Sequence, residues 1–142
     1  MITIIVPGEA QAQGRPRAYL QKNGRIGVYD PKKSRDYKAF FRLCAAQVAP
    51  PTPLEGPCAV RVTVYRPIPK SMPKYKRALV EAGKLFPTTK PDVDNYIKAV
   101  FDACNKLIWR DDSQVYQLTV TKLYGDPRVE VRVKEIKADE DA

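Results

Sequence analysis

Residues 90–115 read "KPDVDNYIKAVFDACNKLIWRDDSQV", and the way this stretch folds decides both the architecture and the chemistry of the chain. Val93, Ile97, Val100, Phe101, Cys104, Leu107 and Ile108 recur at helical spacing, so the stretch predicts an amphipathic helix with one apolar stripe. Asp92 follows Pro91 and falls just before or at the N-cap, near the positive end of the helix dipole. With the stripe turned inward, Asp94, Lys98 and Asp102 share one flank, with successive Cβ atoms about 5–6 Å apart. A second acidic pair, Asp111 and Asp112, lies in the turn to the next strand.

Each aspartate has an ordinary explanation. Asp is a favoured helix cap, Asp94 and Lys98 can form a surface ion pair, and paired aspartates suit a turn. Together they allow another reading. If the far turn folds back, three or four carboxylates converge, and they repel one another unless a cation joins them. Hard oxygen donors of this kind suit Mg2+ or Mn2+. Spacing alone leaves the two readings open.

Upstream, "MITIIVPG" (1–8) is β-branched and reads as a strand. A polar loop then leads to "RAYL" and "RIGVY", which flank Asn23-Gly24 and predict a short hairpin. Arg15, Arg17, Lys22 and Arg25 make this region basic, with Tyr19 and Tyr29 interleaved. Such a mix suits phosphate contact and base stacking, and it also suits an exposed hairpin. In "DPKKSRDYKAFFRLCAAQVA" (30–49), Asp30 is a candidate N-cap and Pro31 a first helical residue. Tyr37, Phe40, Phe41, Cys44 and Val48 give that helix its expected apolar face. Lys32, Lys33 and Arg35 fall in its first turn, where the dipole disfavours cations, so they point to an anion outside the protein or to loop geometry.

"CAVRVTVYRPI" (58–68) alternates as a strand, and a basic insert follows with Lys74, Lys76 and Arg77 on a short helix near 73–82. "SQVYQLTVTKLYG" (113–125) and "RVEVRVKEIK" (128–137) alternate too, and their closeness predicts an antiparallel hairpin. The elements add up to a small single α+β domain over 1–136, a mixed sheet packed with helices. The acidic tail 137–142 is expected to be disordered.

Composition narrows the chemistry. The 142 residues include no histidine, which removes Ser–His and Cys–His nucleophiles, His-ligated zinc and His general bases. Cys44, Cys58 and Cys104 form no C-x-x-C pair, so reduced core cysteines are expected. No apolar run is long enough for a membrane span, and the short apolar N-terminus reads as a strand, not a leader, which predicts a cytoplasmic protein. The net charge of +9 is uneven: residues 1–91 hold 17 Lys and Arg against 5 Asp and Glu, and residues 92–142 hold 8 against 11. A basic half beside an acidic half is suited to gripping a polyanion and bringing metal ions to it.

At this point the residues resemble a known family. Asp92, Asp94, Asn95 and Lys98, then Phe101-Asp102-Ala103, then Trp109, Asp111-Asp112 and Gln114-Val115 look like the signature of the RusA family of Holliday-junction resolvases. "GRPRA", "YDPKKSRDY" and "PKSMPKYKRALVEAG" resemble its phage and prophage members. The resemblance implies a homodimeric endonuclease that resolves four-way DNA junctions by paired, symmetric nicks with Mg2+, or Mn2+ in its place, and no organic cofactor. It implies 5′-phosphate and 3′-hydroxyl products. By matching position, it makes Asp92, Asp94 and Asp112 metal-binding aspartates and Lys98 the catalytic lysine. Asp111 matches a neighbouring acidic position. The longer N-terminal segment and the 67–90 insert depart from compact members, and both are basic. Forks, flaps and three-way junctions are alternative substrates, and a non-cutting junction-bending protein is the alternative of another class.

Overall fold

Strand β4 (Cys58–Arg66) is the axis of the molecule. Its inward residues Cys58, Val60, Val62 and Val64 are all buried. On one side it pairs antiparallel with β6 (Arg128–Glu135), and on the other it pairs parallel with β5 (Val115–Tyr124). Strand β1 (Ile2–Pro7) joins the outer edge of β6, giving the order β1-β6-β4-β5. The computed structural model describes residues 1–14, 17–29 and 31–137. The acidic tail expected to be disordered lies, from residue 138 onward, outside them, as does Asp30, the candidate cap.

The mixed α+β architecture agrees with the sequence reading, but the expected hairpin between the last two strands does not form. After β5 the chain passes over the end of β4, where Gly125 N–H donates to the Arg66 carbonyl at 2.9 Å. It then docks β6 on the far side. Pairing β5 with β6 would leave one edge of β4 without backbone partners. Placing β4 in the middle satisfies its backbone on both edges. The parallel β4–β5 pair needs a crossover, and helix α3 (Val93–Cys104) supplies it.

Helices α1 (Lys32–Ala46) and α3 cover the inner face of the sheet. They run in the same direction. Gln13 N–H, beside the start of α1, donates to Asn95 O at 3.1 Å, and Gly14 N–H donates to Ser34 Oγ at 2.8 Å. Lys38 then pairs with Asp102 at 3.6 Å, and Arg42 reaches Ala103 O and Asn105 O at 2.9 and 3.0 Å. Both apolar faces are rotated from expectation. On α1 the buried set is Ser34, Tyr37, Phe41 and Ala45, whereas Phe40 and Val48 are exposed. On α3, Tyr96, Ala99 and Ala103 join Ile97, Val100 and Cys104, and Val93 faces solvent. Small residues let two helices approach closely, which a reading by large apolar side chains overlooks.

Helix α3 also ends earlier than its stripe. Asn105 is extended and Lys106 has φ 65°, so Leu107 and Ile108 belong to a tight turn, where Ile108 is nonetheless fully buried. Of the cysteines, none forms a disulfide; Cys58 and Cys104 are buried and Cys44 is half-buried. Burial pushes the Cys104 thiol up to about 12, which keeps it protonated and inert.

Two peripheral pieces complete the fold. Strands β2 (Arg17–Leu20) and β3 (Ile26–Tyr29) form the expected hairpin, separate from the main sheet. Its turn is closed by Gln21 N–H to Arg25 O at 2.8 Å and uses Gly24 at φ +81°. Helix α2 (Lys74–Glu81) agrees with the expected short helix and has no buried residue. Gly83 follows it at φ +71°, the left-handed conformation that stops a helix at least cost.

Candidate active site

The N-terminus of α3 carries Asp92 at the N-cap and Asp94 in the first turn. A capping aspartate normally accepts a hydrogen bond from the N2 or N3 backbone N–H. The Asp92 carboxylate makes no such bond. Asp92, Asp94 and Lys98 are all exposed, and among the described residues none has a hydrogen-bond or ion-pair partner on its side chain. The surface ion pair Asp94–Lys98 that spacing allows is therefore not made. Three groups with strong polar character are held at one helix end and turned to solvent.

The platform beneath them is well tied. Lys122 on β5 donates to Thr89 O at 2.8 Å and Pro91 O at 3.2 Å, which fixes the segment entering the helix. Arg66, at the end of β4, donates to the Tyr96 hydroxyl at 2.7 Å and pairs with Glu9 at 3.7 Å. Burial raises the Tyr96 phenol above its ordinary value, with Arg66 opposing the shift, so this hydroxyl stays neutral and structural. The segment that carries the aspartate pair is thus tied to β5 and to the end of β4, which Glu9 holds in turn.

The turn after α3 holds the other acidic pair, and its two members differ. Asp111 is a true cap: its carboxylate accepts from Ser113 N–H at 3.0 Å, and its own N–H donates to Gln114 Oε1 at 2.9 Å, a reciprocal capping box. Hydrogen bonds from the Ser113 side chain and backbone hold its carboxyl below the usual range. Gln114 also clamps Leu54 O and Gly56 O at 2.8 and 3.0 Å. Asp112 has a different partner, accepting from Asn105 Nδ2 at 3.3 Å.

That contact locates Asp112 at the C-terminal end of α3, whereas Asp92 and Asp94 stand at its N-terminal end. At 1.5 Å of rise per residue the two ends lie roughly 16 Å apart. The expected convergence of three or four carboxylates is not made within one chain. Among the described residues no three Asp, Glu, Cys or His side chains are grouped to hold a metal ion. Asp102, on the same flank as Asp94, instead pairs with Lys38. By donor chemistry the Asp92–Asp94 pair fits a hard divalent cation, but one chain provides it with two carboxylates only.

The basic residues divide as well. Arg17 from β2 meets Lys32, Lys33 and Arg35 from the start of α1 around a surface hollow of about 480 Å³. Helix α1 has no acidic residue in its first turn and no side-chain cap, so its free N–H groups add to the positive field there. Because α1 and α3 start at the same end of the molecule, this hollow is on the Asp92–Asp94 side. Lys22 and Arg25 are exposed at the hairpin tip, and Lys74 and Lys76 are exposed on α2. Arg77 is engaged otherwise, donating to Met72 O at 3.1 Å and Lys70 O at 3.0 Å, which ties down the α2 approach. Arg15 lies outside the described residues.

Sequence reasoning passed over Asn105, Arg42 and Lys122. Asn105 carries a signal, since it stands just past the last buried helical residue, where asparagine often ends a helix. Nothing in the local pattern marks Arg42 or Lys122, whose partners lie 61 and 33 residues away.

Two comparisons with known proteins bear on this arrangement. The family model described as "Endodeoxyribonuclease RusA" matches residues 7–134 of the chain. A Bacillus subtilis (strain 168) protein described as "Uncharacterized protein YqaN" is 50% identical over 140 residues, which cover 96% of this chain and 98% of that one.

Proposed function

The chain belongs to the RusA endodeoxyribonuclease family, and from that premise we propose that it resolves four-way DNA junctions as a homodimer, by paired symmetric nicks that require Mg2+ or Mn2+. The observation that carries this reading is the Asp92 carboxylate, which occupies a capping position without capping, beside an equally unpartnered Asp94. Carboxylates at a helix N-terminus gain from its dipole, but two that make no hydrogen bond or ion pair also keep their oxygens available to a cation. When bound, a divalent ion there neutralises phosphodiester charge and acidifies a water. Lys98, one turn along the same flank, is free to offset the charge that develops on the reacting phosphate or on the leaving oxygen. The hollow lined by Arg17, Lys32, Lys33 and Arg35 grips backbone phosphates on the same side.

The same geometry supports dimerisation. A site that uses Asp112 with Asp92 and Asp94 must take Asp112 from a second protomer, because one protomer keeps them at opposite ends of α3. A two-fold dimer then holds two such sites, which matches two nicks on a two-fold symmetric junction. The products are 5′-phosphate and 3′-hydroxyl ends that ligase can seal, and the setting is a phage or prophage in a bacterial cytoplasm.

The test is cleavage of a labelled synthetic four-way junction beside linear duplex, forks and flaps, with Mg2+ or EDTA, by wild type and Asp94→Asn. Symmetric, ligatable nicks confined to the junction are expected, lost with EDTA. Asp94→Asn is expected to fold and bind the junction as wild type does while cleaving at least ~100-fold more slowly. Preference for forks or flaps would keep the nuclease and change its substrate. Tight junction binding without nicking would replace it with an architectural role.

A further inference from the structure

Asp112 is held by a two-step relay that starts in the core. Trp109 has no exposed surface, and it packs edge-on against Phe101 with ring centroids 5.5 Å apart. Its indole Nε1–H donates to Asn105 Oδ1 at 2.7 Å. Asn105 Nδ2 in turn donates to Asp112 Oδ2 at 3.3 Å. The backbone fixes the same turn, since Lys106 N–H donates to Trp109 O at 2.7 Å and Arg42 grips Asn105 O at 3.0 Å.

The chemistry of this relay admits one orientation. An indole N–H donates only, so the Asn105 group facing Trp109 must be its oxygen. The amide nitrogen is then forced toward Asp112, and an ionised carboxylate accepts only. Each end dictates the other, and an amide is the one short side chain that accepts on one branch and donates on the other. Aspartate would serve Trp109 equally well but would set a second carboxylate against Asp112.

We propose that Asn105 is a positioning residue for the nuclease site: locked by Trp109, it occupies one oxygen of Asp112 and presents the other to the cation shared with the partner protomer's aspartate pair. The inference rests on the reading of Asp112 as a metal-facing residue. Partners that orient a metal-binding carboxylate typically change metal affinity or activity 10–100-fold when removed.

Four proteins test it: wild type, Asn105→Asp, Asn105→Ala and Trp109→Phe. Three readouts are taken: thermal unfolding, Mn2+ binding without DNA followed by electron paramagnetic resonance, and single-turnover junction cleavage alongside junction affinity. Asn105→Asp retains the bond to Trp109 but sets a second carboxylate against Asp112, so it is expected to fold with a lowered unfolding midpoint while cleavage falls ~10–100-fold at nearly unchanged junction affinity. Asn105→Ala is expected to weaken Mn2+ binding ~10-fold or more. Trp109→Phe keeps a ring against Phe101, leaves a small cavity and frees the amide to turn, so a lower unfolding midpoint and a smaller loss in the same direction are expected. Wild-type Mn2+ affinity in Asn105→Ala and Trp109→Phe, with wild-type cleavage by Asn105→Asp, would overturn the proposal and reduce Asn105 to a cap for Trp109. A wild type that binds Mn2+ but cuts no branched DNA would sink the proposed function and leave this inference to the Mn2+ affinities. A wild type that binds no Mn2+ would remove both.

Discussion

The same residue type does four different things around α3. Asp111 spends its carboxylate on a cap, Asp102 pairs with Lys38, Asp112 accepts from the Asn105 amide, and Asp92 and Asp94 are left without partners. Residue identity could not sort them, because each position offers an aspartate near a helix end or a turn. Lys98 belongs with the unpartnered group. With no ion pair to lose, its removal costs little stability, and its ammonium is available to a reacting phosphate. Lys98→Ala is therefore expected to lower the single-turnover cleavage rate ~100-fold and junction affinity less than ~3-fold. A parallel fall in rate and affinity would make Lys98 a DNA-gripping residue only.

The elements behave as their local chemistry dictates, up to their ends. The turn Asp112–Gln114 is short, and the capping box of Asp111 is what makes it persist. Asp111→Ala is expected to lower stability at neutral pH and, by loosening the turn that carries Asp112, to slow junction cleavage less than Asp94→Asn does. The sign of the pH dependence follows from the depressed carboxyl of Asp111 in the folded state. Its contribution is fully present above the ordinary carboxylate value of about 4 and is lost as pH falls through the lower native value. Urea unfolding at several pH values should therefore show the gap between wild type and Asp111→Ala closing in acid. Cleavage lost to the extent seen for Asp94→Asn, at unchanged stability, would instead make Asp111 a ligand. At this scale β1, the β2–β3 hairpin, β4 and α2 were legible from alternation, a turn dipeptide and a stop glycine. The apolar faces of α1 and α3 were less so, because Ser34, Ala45, Ala99 and Ala103 are buried for their small size and not for their hydrophobicity.

The molecule as a whole separates Asp92 and Asp94 from Asp112 along α3 and spreads its cations over the start of α1, the β2–β3 hairpin and α2. If each site draws Asp92 and Asp94 from one protomer and Asp112 from the other, two inactive variants complement. In a mixed dimer of Asp94→Asn and Asp112→Asn, both substitutions fall in one site and the second site is wholly wild type. Mixing and exchange of the two inactive proteins is expected to restore nicking of single strands, at about a quarter of the wild-type number of sites for random exchange. Sites complete within one protomer would stay dead in every combination. Junction binding should also weaken steeply with salt, as cations that contact phosphates release counterions.

By itself the sequence determined the α+β class, most strands and helices, the absence of histidine chemistry and the family signature around Asp92, Asp94, Lys98 and Asp112. These are local properties, set by side-chain periodicity and residue type within a few turns of chain. The tertiary structure alone decided that β4 separates β5 from β6, that Asp92 does not cap, and that Asp112 is turned by Asn105 at the far end of α3. Each of those depends on partners distant in the chain. Which strand takes the centre depends on where burial and backbone pairing are greatest for the whole sheet, and where a carboxylate points depends on which donors the rest of the fold brings to it.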